Sequence, residues 1–294
     1  MESSAGCDRE IPSKSEKEKY IEALPLCTRE LSRTEGANSC TSESKHDGVE
    51  QGNSAQMKSM VSMVRVARTD GSLCTACGTC VDWCVKNARE ICGKTWELSE
   101  LEKELLKDRA FYETSGGGVT LSGGEVLAQD MDYIETLLSR LQRRGIRVNI
   151  DTCGDVPYEA IARVLPYTDV FLYDFKLADE ETQRAYTGRS NVRILENLER
   201  LSEAGANIWI RIPVIGTVND DTASIAAIGD WLKRHNIQIR QVNLLPYHTT
   251  GSSNYPRVGR VYEGDAFTTP EPKRMEELRQ VMERFGFAPV LIGG

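Results

Sequence analysis

Apolar residues recur in two patterns along the chain, as short runs and at helical spacing. The short runs predict buried strands at residues 119–122, 146–151, 170–174, 208–212 and 242–245, with a last apolar run at 288–292. Helical spacing predicts helices at residues 96–112, 130–144, 158–165, 190–204, 224–235 and 271–285. Strands that alternate with helices indicate βαβ units and a parallel sheet. We therefore expect an α/β fold, an incomplete (β/α)6 barrel whose functional site lies at the carboxyl ends of the strands.

Two local signals refine this pattern near the amino-terminal half. Ser99 and Glu102 have the spacing of a capping box, which predicts that the first long helix begins there. Residues 1–57 are rich in Ser, Glu, Lys, Thr and Gly without a sustained apolar period, and they are predicted to be disordered. Within them, residues 19–31 predict a weak helix. After them, the apolar run 60–67 predicts a strand that leads into a cysteine-rich stretch.

Composition narrows the class of protein. The chain has 36 Lys and Arg residues against 44 Asp and Glu residues, a formal net charge of −8. Surfaces that bind nucleic acid concentrate basic residues, so this balance argues against a nucleic-acid partner. The sequence has no apolar run of about 18 residues, the length that spans a membrane. Its first residues lack the apolar core of a secretory signal, so we expect a cytoplasmic protein.

Cysteines are concentrated in one short stretch. Cys74, Cys77, Cys80 and Cys84 follow the pattern C-x2-C-x2-C-x3-C. Thiolates at this spacing hold iron–sulfur clusters, and an odd total of nine cysteines favours metal ligation over a disulfide framework. A zinc knuckle is the alternative, although zinc sites usually pair two separated C-x2-C units. No proline follows Cys84 and no second motif occurs, so the fourth ligand stays open between Cys92 and an amino-terminal cysteine.

A predicted strand with glycines on both sides gives the next signal. The segment from Gly116 to Glu125 reads GGGVTLSGGE, so a ligand can lie against bare backbone where the strand ends. The carboxylate of Glu125 can then pair with an ammonium group. The part LSGGE also resembles the signature of ABC-transporter ATPases. That class is excluded, because the chain has no G-x-x-x-x-G-K-[ST] phosphate loop.

Further segments follow Glu125 in a fixed order, each at the end of a predicted strand. They read IDTCG at 150–154, YDFK at 173–176, RIPVI at 211–215 with Asn219 and Asp220, and LPYH at 245–248 with Gly251 and Tyr255. From about Leu73 onward, this series resembles the activating enzymes of glycyl-radical enzymes, in the radical S-adenosylmethionine (SAM) superfamily. The cysteine block resembles the subgroup of the pyruvate formate-lyase activating enzyme type that has a ferredoxin-like insert.

The resemblance implies an architecture of three segments. Residues 1–57 are a disordered or replaced amino-terminal segment, residues 58–95 a ferredoxin-like 4Fe–4S segment, and residues 96–294 a partial radical SAM β/α barrel. The barrel is TIM-like and incomplete, and its first strand is missing. A barrel without its first strand has an exposed edge that normally needs cover.

The resemblance also implies SAM-binding roles for ten residues: Ser122, Gly123, Gly124, Glu125, Asp151, Thr152, Asp174, Lys176, Arg211 and His248. In the family, the segment ending in Glu125 holds the amino group of SAM. Asp151 and Thr152 match residues near a monovalent cation beside SAM, and Lys176 matches a lysine that reaches the SAM carboxylate. Arg211 and His248 match contacts from the later strands. Taken singly, an Asp–Lys pair or a lone histidine is more often structural, and only the ordered series favours function.

One expected motif is absent from the sequence. In the family, a SAM-ligating [4Fe–4S] cluster held by Cys-x3-Cys-x2-Cys cleaves SAM to a 5′-deoxyadenosyl radical, which takes hydrogen from a glycine of the partner protein. Here Cys80 and Cys84 have the spacing of the first two cysteines of this motif, but Asn87 stands where the third cysteine is required. The simplest interpretation is that the amino-terminal part, with the first strand and this motif, is lost or replaced.

Three hypotheses follow for function. The first is a glycyl-radical enzyme activating enzyme, a SAM-dependent oxidoreductase with a glycyl-radical enzyme as partner and flavodoxin or ferredoxin as electron donor. Its competence is in question without the missing motif. The second is an iron–sulfur electron-transfer protein that uses only the cysteine block. The third is a catalytically silent protein that keeps the SAM pocket or the partner-docking face.

Overall fold

A computed structural model describes residues 27–28, 74–75, 77–91, 93–252, 254–257, 261–262 and 264–293. They divide into two compact units, a smaller one with described residues of 27–93 and 254–262, and a larger one with those of 94–252 and 264–293. The strand predicted at 60–67, most of residues 1–57 and Cys92 lie outside the described residues. No helix in the described part of the chain has the length and hydropathy needed to cross a bilayer.

The larger unit is built on a parallel sheet. Its strands are β3 (Gly118–Leu121), β4 (Arg147–Thr152), β5 (Val170–Asp174), β6 (Ile208–Val214), β7 (Gln241–Pro246) and β8 (Val290–Ile292). The smaller unit has two short antiparallel strands, β1 (Cys27–Thr28) and β2 (Arg89–Glu90). Each strand of the large sheet pairs with the next in chain order, and among the described residues β3 and β8 form its two edges. The prediction of an α/β fold with six parallel strands in an open, incomplete barrel is confirmed.

Helices connect the strands in the order that the apolar spacing predicts. They are α1 (Thr79–Asp82), α2 (Leu98–Leu105), α3 (Arg109–Ser115), α4 (Met131–Arg143), α5 (Tyr158–Val164), α6 (Glu180–Thr187), α7 (Val192–Glu203), α8 (Thr222–Arg234), α9 (Asn254–Arg257) and α10 (Pro272–Arg284). The sequence missed α6, because Gln183 is its one buried side chain and no apolar stripe marks it. Its amino-terminal cap is Asp179, whose side chain accepts from the backbone of Thr182.

One local prediction is wrong, and another is contradicted at the two of its residues that the structure describes. The weak helix predicted at 19–31 does not include Cys27 and Thr28, because their backbone pairs with the β2 strand, a partner that local propensity cannot reveal. The prediction of a capping box is wrong, since α2 begins at Leu98 and no side chain caps its amino-terminal end. Glu102 instead lies 3.0 Å from Nε of Arg144 and 3.7 Å from Nη1 of Arg140. A tertiary ion pair has replaced the local hydrogen bond.

The two faces of the large sheet differ in chemistry. Alternate side chains on one face pack into the core with the helices: Val148, Ile150, Phe171, Tyr173, Ile208, Ile210, Ile212, Val242 and Leu244 are all buried. The residues between them point to the other face and include Asn149, Asp151, Asp174, Arg211, Gln241 and Asn243. The helix-covered face therefore supplies stability, while the opposite face presents polar groups.

Candidate functional site

Seven of the ten predicted SAM-binding residues have side chains in two linked groups at the carboxyl ends of β3 to β6. We call Glu125, Thr152 and Cys153 the Glu125 cradle, and Ser122, Asp151, Asp174, Lys176 and Arg211 the Asp151 network. The two groups are adjacent, because Asp151 and Thr152 are the last two residues of β4. Convergence at this end of the sheet is what parallel strands impose on residues that end them.

The Glu125 carboxylate is fixed by three hydrogen bonds. Its Oε1 accepts from Oγ1 of Thr152 at 2.9 Å and from the backbone N–H of Leu127 at 3.2 Å. Its Oε2 accepts from the backbone N–H of Cys153 at 2.9 Å. An ionised carboxylate has about four acceptor positions, and the Cys153 thiol is a further neighbour of this carboxylate. The Glu125 side chain is half-buried, so it is not sealed inside the core.

The backbone beside Glu125 is uncovered. Gly123 and Gly124 are exposed and have φ angles of +88° and +57°, which favour glycine. A Cβ atom placed on either residue would meet no heavy atom within 4 Å. Glycine is favoured here by the backbone conformation and not by lack of space, and the space above the backbone is free for a ligand. The backbone is bare as predicted, and a ligand lying against it stays a prediction.

The Asp151 network is an alternating row of charges. Oδ2 of Asp151 accepts from Oγ of Ser122 at 2.7 Å and lies 2.6 Å from Nη1 of Arg211. Nζ of Lys176 donates to Oδ2 of Asp174 at 3.0 Å. Because β5 and β6 pair Asp174 with Arg211 in register, the guanidinium Nε also lies 3.9 Å from Oδ1 of Asp174. Two cations and two carboxylates thus neutralise each other in a partly buried site.

One oxygen in this network has a charged neighbour but no hydrogen bond. Oδ1 of Asp174 is buried and forms no hydrogen bond in the described structure. Buried polar atoms are almost always satisfied, so an exception calls for an explanation such as a ligand group. This oxygen belongs to a residue that the sequence series had marked, and its hydrogen-bonding capacity is not used by the described side chains.

The Asp151 ion pair gives a direct prediction of stability. Replacing Asp151 with alanine removes the closest partner of a half-buried guanidinium and should lower the free energy of unfolding by about 2 kcal/mol. Asp155→Ala is the matched control, since its partner Arg193 lies 3.4 Å away and has a side chain that is 59% exposed. Its expected loss is about 0.5 kcal/mol. Urea denaturation measures both, and equal losses would show that the network adds no more stability than an exposed ion pair.

Three buried asparagines hold the loops on which these groups lie. Nδ2 of Asn197 donates to the carbonyls of Gly154 and Val156, both at 2.8 Å. Nδ2 of Asn219 donates to the carbonyls of Lys176 and Pro213 at 3.1 and 2.8 Å. The third, Asn191, donates to the loop after β5 through the carbonyls of Leu177 and Ala178, both at 3.0 Å. Each amide therefore holds the backbone of a loop in place next to the candidate site.

The sequence analysis gave no role to Asn191 or Asn197. A signal for Asn197 was nevertheless present, because it occupies an apolar-stripe position between Ile194 and Leu201 on α7. A polar residue in such a stripe is informative, since burial without hydrogen bonds is costly. Asn219 was noted only as part of the ordered series.

His248 stands apart from the groups described above. It lies in the exposed loop after β7, and no other described residue forms a hydrogen bond or ion pair with its side chain. Its predicted contact with SAM stays a prediction. The monovalent cation expected near Asp151 and Thr152 also stays a prediction, because no three His, Cys, Asp or Glu residues in the described ranges are placed to hold a metal ion.

Cys153 lies in the Glu125 cradle as a half-buried thiol. Burial raises the pKa of this thiol, and the neighbouring Glu125 carboxylate raises it further, although the backbone of Asp155 acts in the opposite direction. The thiol is therefore protonated at neutral pH and does not add charge to the site. Beneath it, burial raises the pKa of Tyr173 well above its usual range, so that hydroxyl stays a donor.

The cysteine block belongs to the smaller unit. The backbone N–H of Ala88 donates to Sγ of Cys84 at 3.1 Å, and this bond lowers the pKa of the thiol. Backbone N–H groups directed at sulfur are a common feature of thiolates that bind metal. Cys74, Cys77 and Cys80 are described as well, but the four residues are not placed as a ligand set in the described structure. The predicted cluster site stays a prediction.

Comparisons with known proteins identify the family of the chain. The family model "Radical SAM superfamily" matches residues 75–227. The chain is 47% identical over 205 residues to the trans-4-hydroxy-L-proline dehydratase activating enzyme of Clostridioides difficile, covering 69% of this chain and 67% of that protein. It is 38% identical over 191 residues to the (2S)-3-sulfopropanediol dehydratase activating enzyme of Klebsiella oxytoca, covering 65% and 60%. The chain thus spans about two thirds or less of the length of these curated relatives.

A solved structure supports the same assignment. A crystal structure of a domain of pyruvate-formate lyase-activating enzyme from Bacteroides vulgatus ATCC 8482 superposes with a TM-score of 0.52 at 29% identity. The match covers 61% of this chain and the whole of that domain. The chain therefore belongs to the radical SAM superfamily and, within it, to the activating enzymes of glycyl-radical enzymes.

Proposed function

We propose that this chain binds SAM at the Glu125 cradle and the Asp151 network, and that it serves the activation of a glycyl-radical enzyme. The single observation that carries the proposal is Glu125 itself. Its carboxylate is oriented by two backbone N–H groups and the Thr152 hydroxyl, and it borders glycine backbone with free space. A carboxylate that is held in this way can form a charge-assisted hydrogen bond with the ammonium group at the amino end of SAM.

The neighbouring charges suit the rest of the amino-acid part of SAM. Lys176 and Arg211 are cations, and either could receive a carboxylate from the ligand. Arg211 is held by Asp151 at 2.6 Å, so its orientation is set before the ligand arrives. The orphaned Oδ1 of Asp174 can accept from a hydroxyl, an ammonium group or a cation that enters with the ligand.

The chain fits one of the family's two cofactors, SAM, and does not fit the other, the SAM-ligating cluster. In this family SAM and a reduced [4Fe–4S] cluster together supply the hydrogen-abstracting chemistry, and the polar site described above fits SAM. The SAM-ligating cluster does not fit this chain, because a Cys-x3-Cys-x2-Cys motif is absent from the sequence. Abstraction of hydrogen from a glycine of the partner protein is therefore not assigned to this polypeptide acting alone.

A second cluster is compatible with the donor chemistry of the smaller unit. Cys74, Cys77, Cys80 and Cys84 belong to a motif whose first three thiolates suit a ferredoxin-like [4Fe–4S] cluster, and the fourth ligand of that cluster is not assigned. The N–H group that Ala88 directs at Cys84 supports this assignment. A cluster there would receive electrons from flavodoxin or ferredoxin in the cytoplasm. An iron–sulfur electron-transfer protein without SAM binding is the alternative function that this observation favours.

Two measurements on the full chain test the proposal. Equilibrium dialysis with radiolabelled SAM should show saturable binding at one site per chain. Anaerobic reconstitution with iron and sulfide should load iron at the cysteine block, and addition of SAM should alter the EPR signal of the reduced protein only if a SAM-ligating cluster has formed. Iron without any SAM binding would support the electron-transfer alternative and contradict the proposal. SAM binding without iron would support the binding site and exclude the electron-transfer function.

A further inference from the structure

We propose that Asn197, in the middle of α7, is a positioning residue that holds Glu125 in the orientation required for the amino group of SAM. The inference rests on the proposed function, because it concerns the same site. It goes beyond it by assigning a role to a residue that does not touch the ligand. The Asn197 amide holds the loop after β4, and that loop holds the Glu125 carboxylate.

The first step is the attachment of the loop to α7. Both hydrogens of the Asn197 amide are used, because Nδ2 donates to the carbonyls of Gly154 and Val156 at 2.8 Å. The side chain is 3% exposed, so water does not compete for these bonds. Two carbonyls that are two residues apart are thereby held at one point, which fixes the curvature of the loop.

The second step is the attachment of Glu125 to the loop. The backbone N–H of Gly154 donates to Oγ1 of Thr152 at 3.0 Å, which directs the hydroxyl proton of Thr152 away from that lone pair. The Thr152 hydroxyl then donates to Oε1 of Glu125, and the next residue, Cys153, donates its backbone N–H to Oε2. Both carboxylate oxygens are therefore oriented by the loop segment that Asn197 holds at its far end.

A purely structural role for Asn197 is the competing explanation. Its neighbours on the same helix stripe, Ile194 and Leu198, are buried apolar residues, and a leucine at position 197 would keep that stripe continuous. Leucine would leave the carbonyls of Gly154 and Val156 without donors, which costs stability in either explanation. Stability alone cannot separate the two roles, so the test must report on the amino end of the ligand.

The experiment compares two ligands in variants of the full chain. SAM carries the amino group, whereas 5′-methylthioadenosine keeps the adenosine part and lacks the whole amino-acid part. Asn197→Asp conserves shape and removes both donors, and Asn197→Ala removes them without adding charge. We expect either variant to weaken SAM binding about tenfold, a tenfold change being 1.4 kcal/mol, and to leave the affinity for 5′-methylthioadenosine unchanged.

Ser202→Ala is the matched control on the same helix. Oγ of Ser202 accepts from the backbone N–H of Gln238 at 2.8 Å, so the variant also loses a buried hydrogen bond but does not reach the loop after β4. It should bind both ligands as the wild type does. Equal loss of affinity for both ligands in the Asn197 variants, or no loss in the folded Ala variant, would overturn the positioning role.

A double-mutant cycle separates this inference from the proposed function. Combining Asn197→Ala with Glu125→Gln should weaken SAM binding no further than Glu125→Gln alone, because both changes act on one contact. Additive losses would show that Asn197 acts through another group and would overturn the inference. If Glu125→Gln alone leaves the SAM affinity unchanged, the proposed function fails at its central residue, and the inference fails with it.

Discussion

Replacing Gly154 with alanine is expected to lower the free energy of unfolding by about 4 kcal/mol or more, which is exceptional for a single substitution. The added Cβ would lie 1.8 Å from Oη and 2.3 Å from Cζ of Tyr173. Tyr173 is fully buried and its hydroxyl donates to the carbonyl of Ile194 at 2.6 Å, so it cannot move aside without losing that bond. Either the ring or the loop after β4 must shift, and urea denaturation monitored by circular dichroism measures the cost.

Gly145→Ala separates the steric cost from the backbone cost. Gly145 has the same φ of +72° as Gly154, but a Cβ there would meet no heavy atom within 4 Å. Its expected loss is about 1 kcal/mol, the usual cost of the left-handed conformation for an L residue. Equal destabilisation by the two substitutions would mean that the Tyr173 contact relaxes freely. It would also weaken the view that the loop is rigid.

Glu125→Gln is expected to weaken SAM binding about 100-fold, or close to 3 kcal/mol. The substitution removes the charge that pairs with the ammonium group. It also places an amide N–H₂ against one of the three groups that donate to Glu125, and two facing donors repel each other. Equilibrium dialysis with radiolabelled SAM measures the affinity directly and does not require a loaded cluster.

Glu102→Gln provides the control for this substitution. Glu102 is also a well-buried carboxylate, with a side chain that is 12% exposed, and it pairs with Arg140 and Arg144 on and after α4. Its loss should reduce stability and leave the SAM affinity unaltered, because none of its partners lies in the Glu125 cradle or the Asp151 network. Wild-type affinity in Glu125→Gln would show that the ammonium group binds elsewhere.

The order of strands and helices was predictable because it depends on local patterns of apolar residues. Buried parallel strands are short apolar runs and their helices have apolar stripes, so β3 to β8 and the long helices followed from spacing. The helix α6 did not follow, since it buries almost no side chain. The ends of elements were less predictable. Glu102, for example, was predicted to cap a helix but instead pairs with two arginines on and after α4.

The set of residues that form the candidate site was predictable to a similar degree. Residues that end parallel strands meet at one edge of the sheet, so the ordered series from Ser122 to Arg211 indicated which side chains converge. The bonds among them were not predictable. Nothing in the sequence shows that Arg211 pairs with Asp151 rather than mainly with its register neighbour Asp174, because that choice depends on strand spacing and twist.

The sequence by itself determined the family pattern, the open six-stranded fold, the absence of the Cys-x3-Cys-x2-Cys motif and the residues that surround the candidate SAM site. Only the tertiary structure decided how those residues are held. Asn197 acts on a loop that is 41 to 43 residues earlier in the chain, and Glu125 is oriented by residues 27 and 28 positions later. Local patterns encode periodicity and burial, whereas such contacts arise only when distant segments are packed against each other.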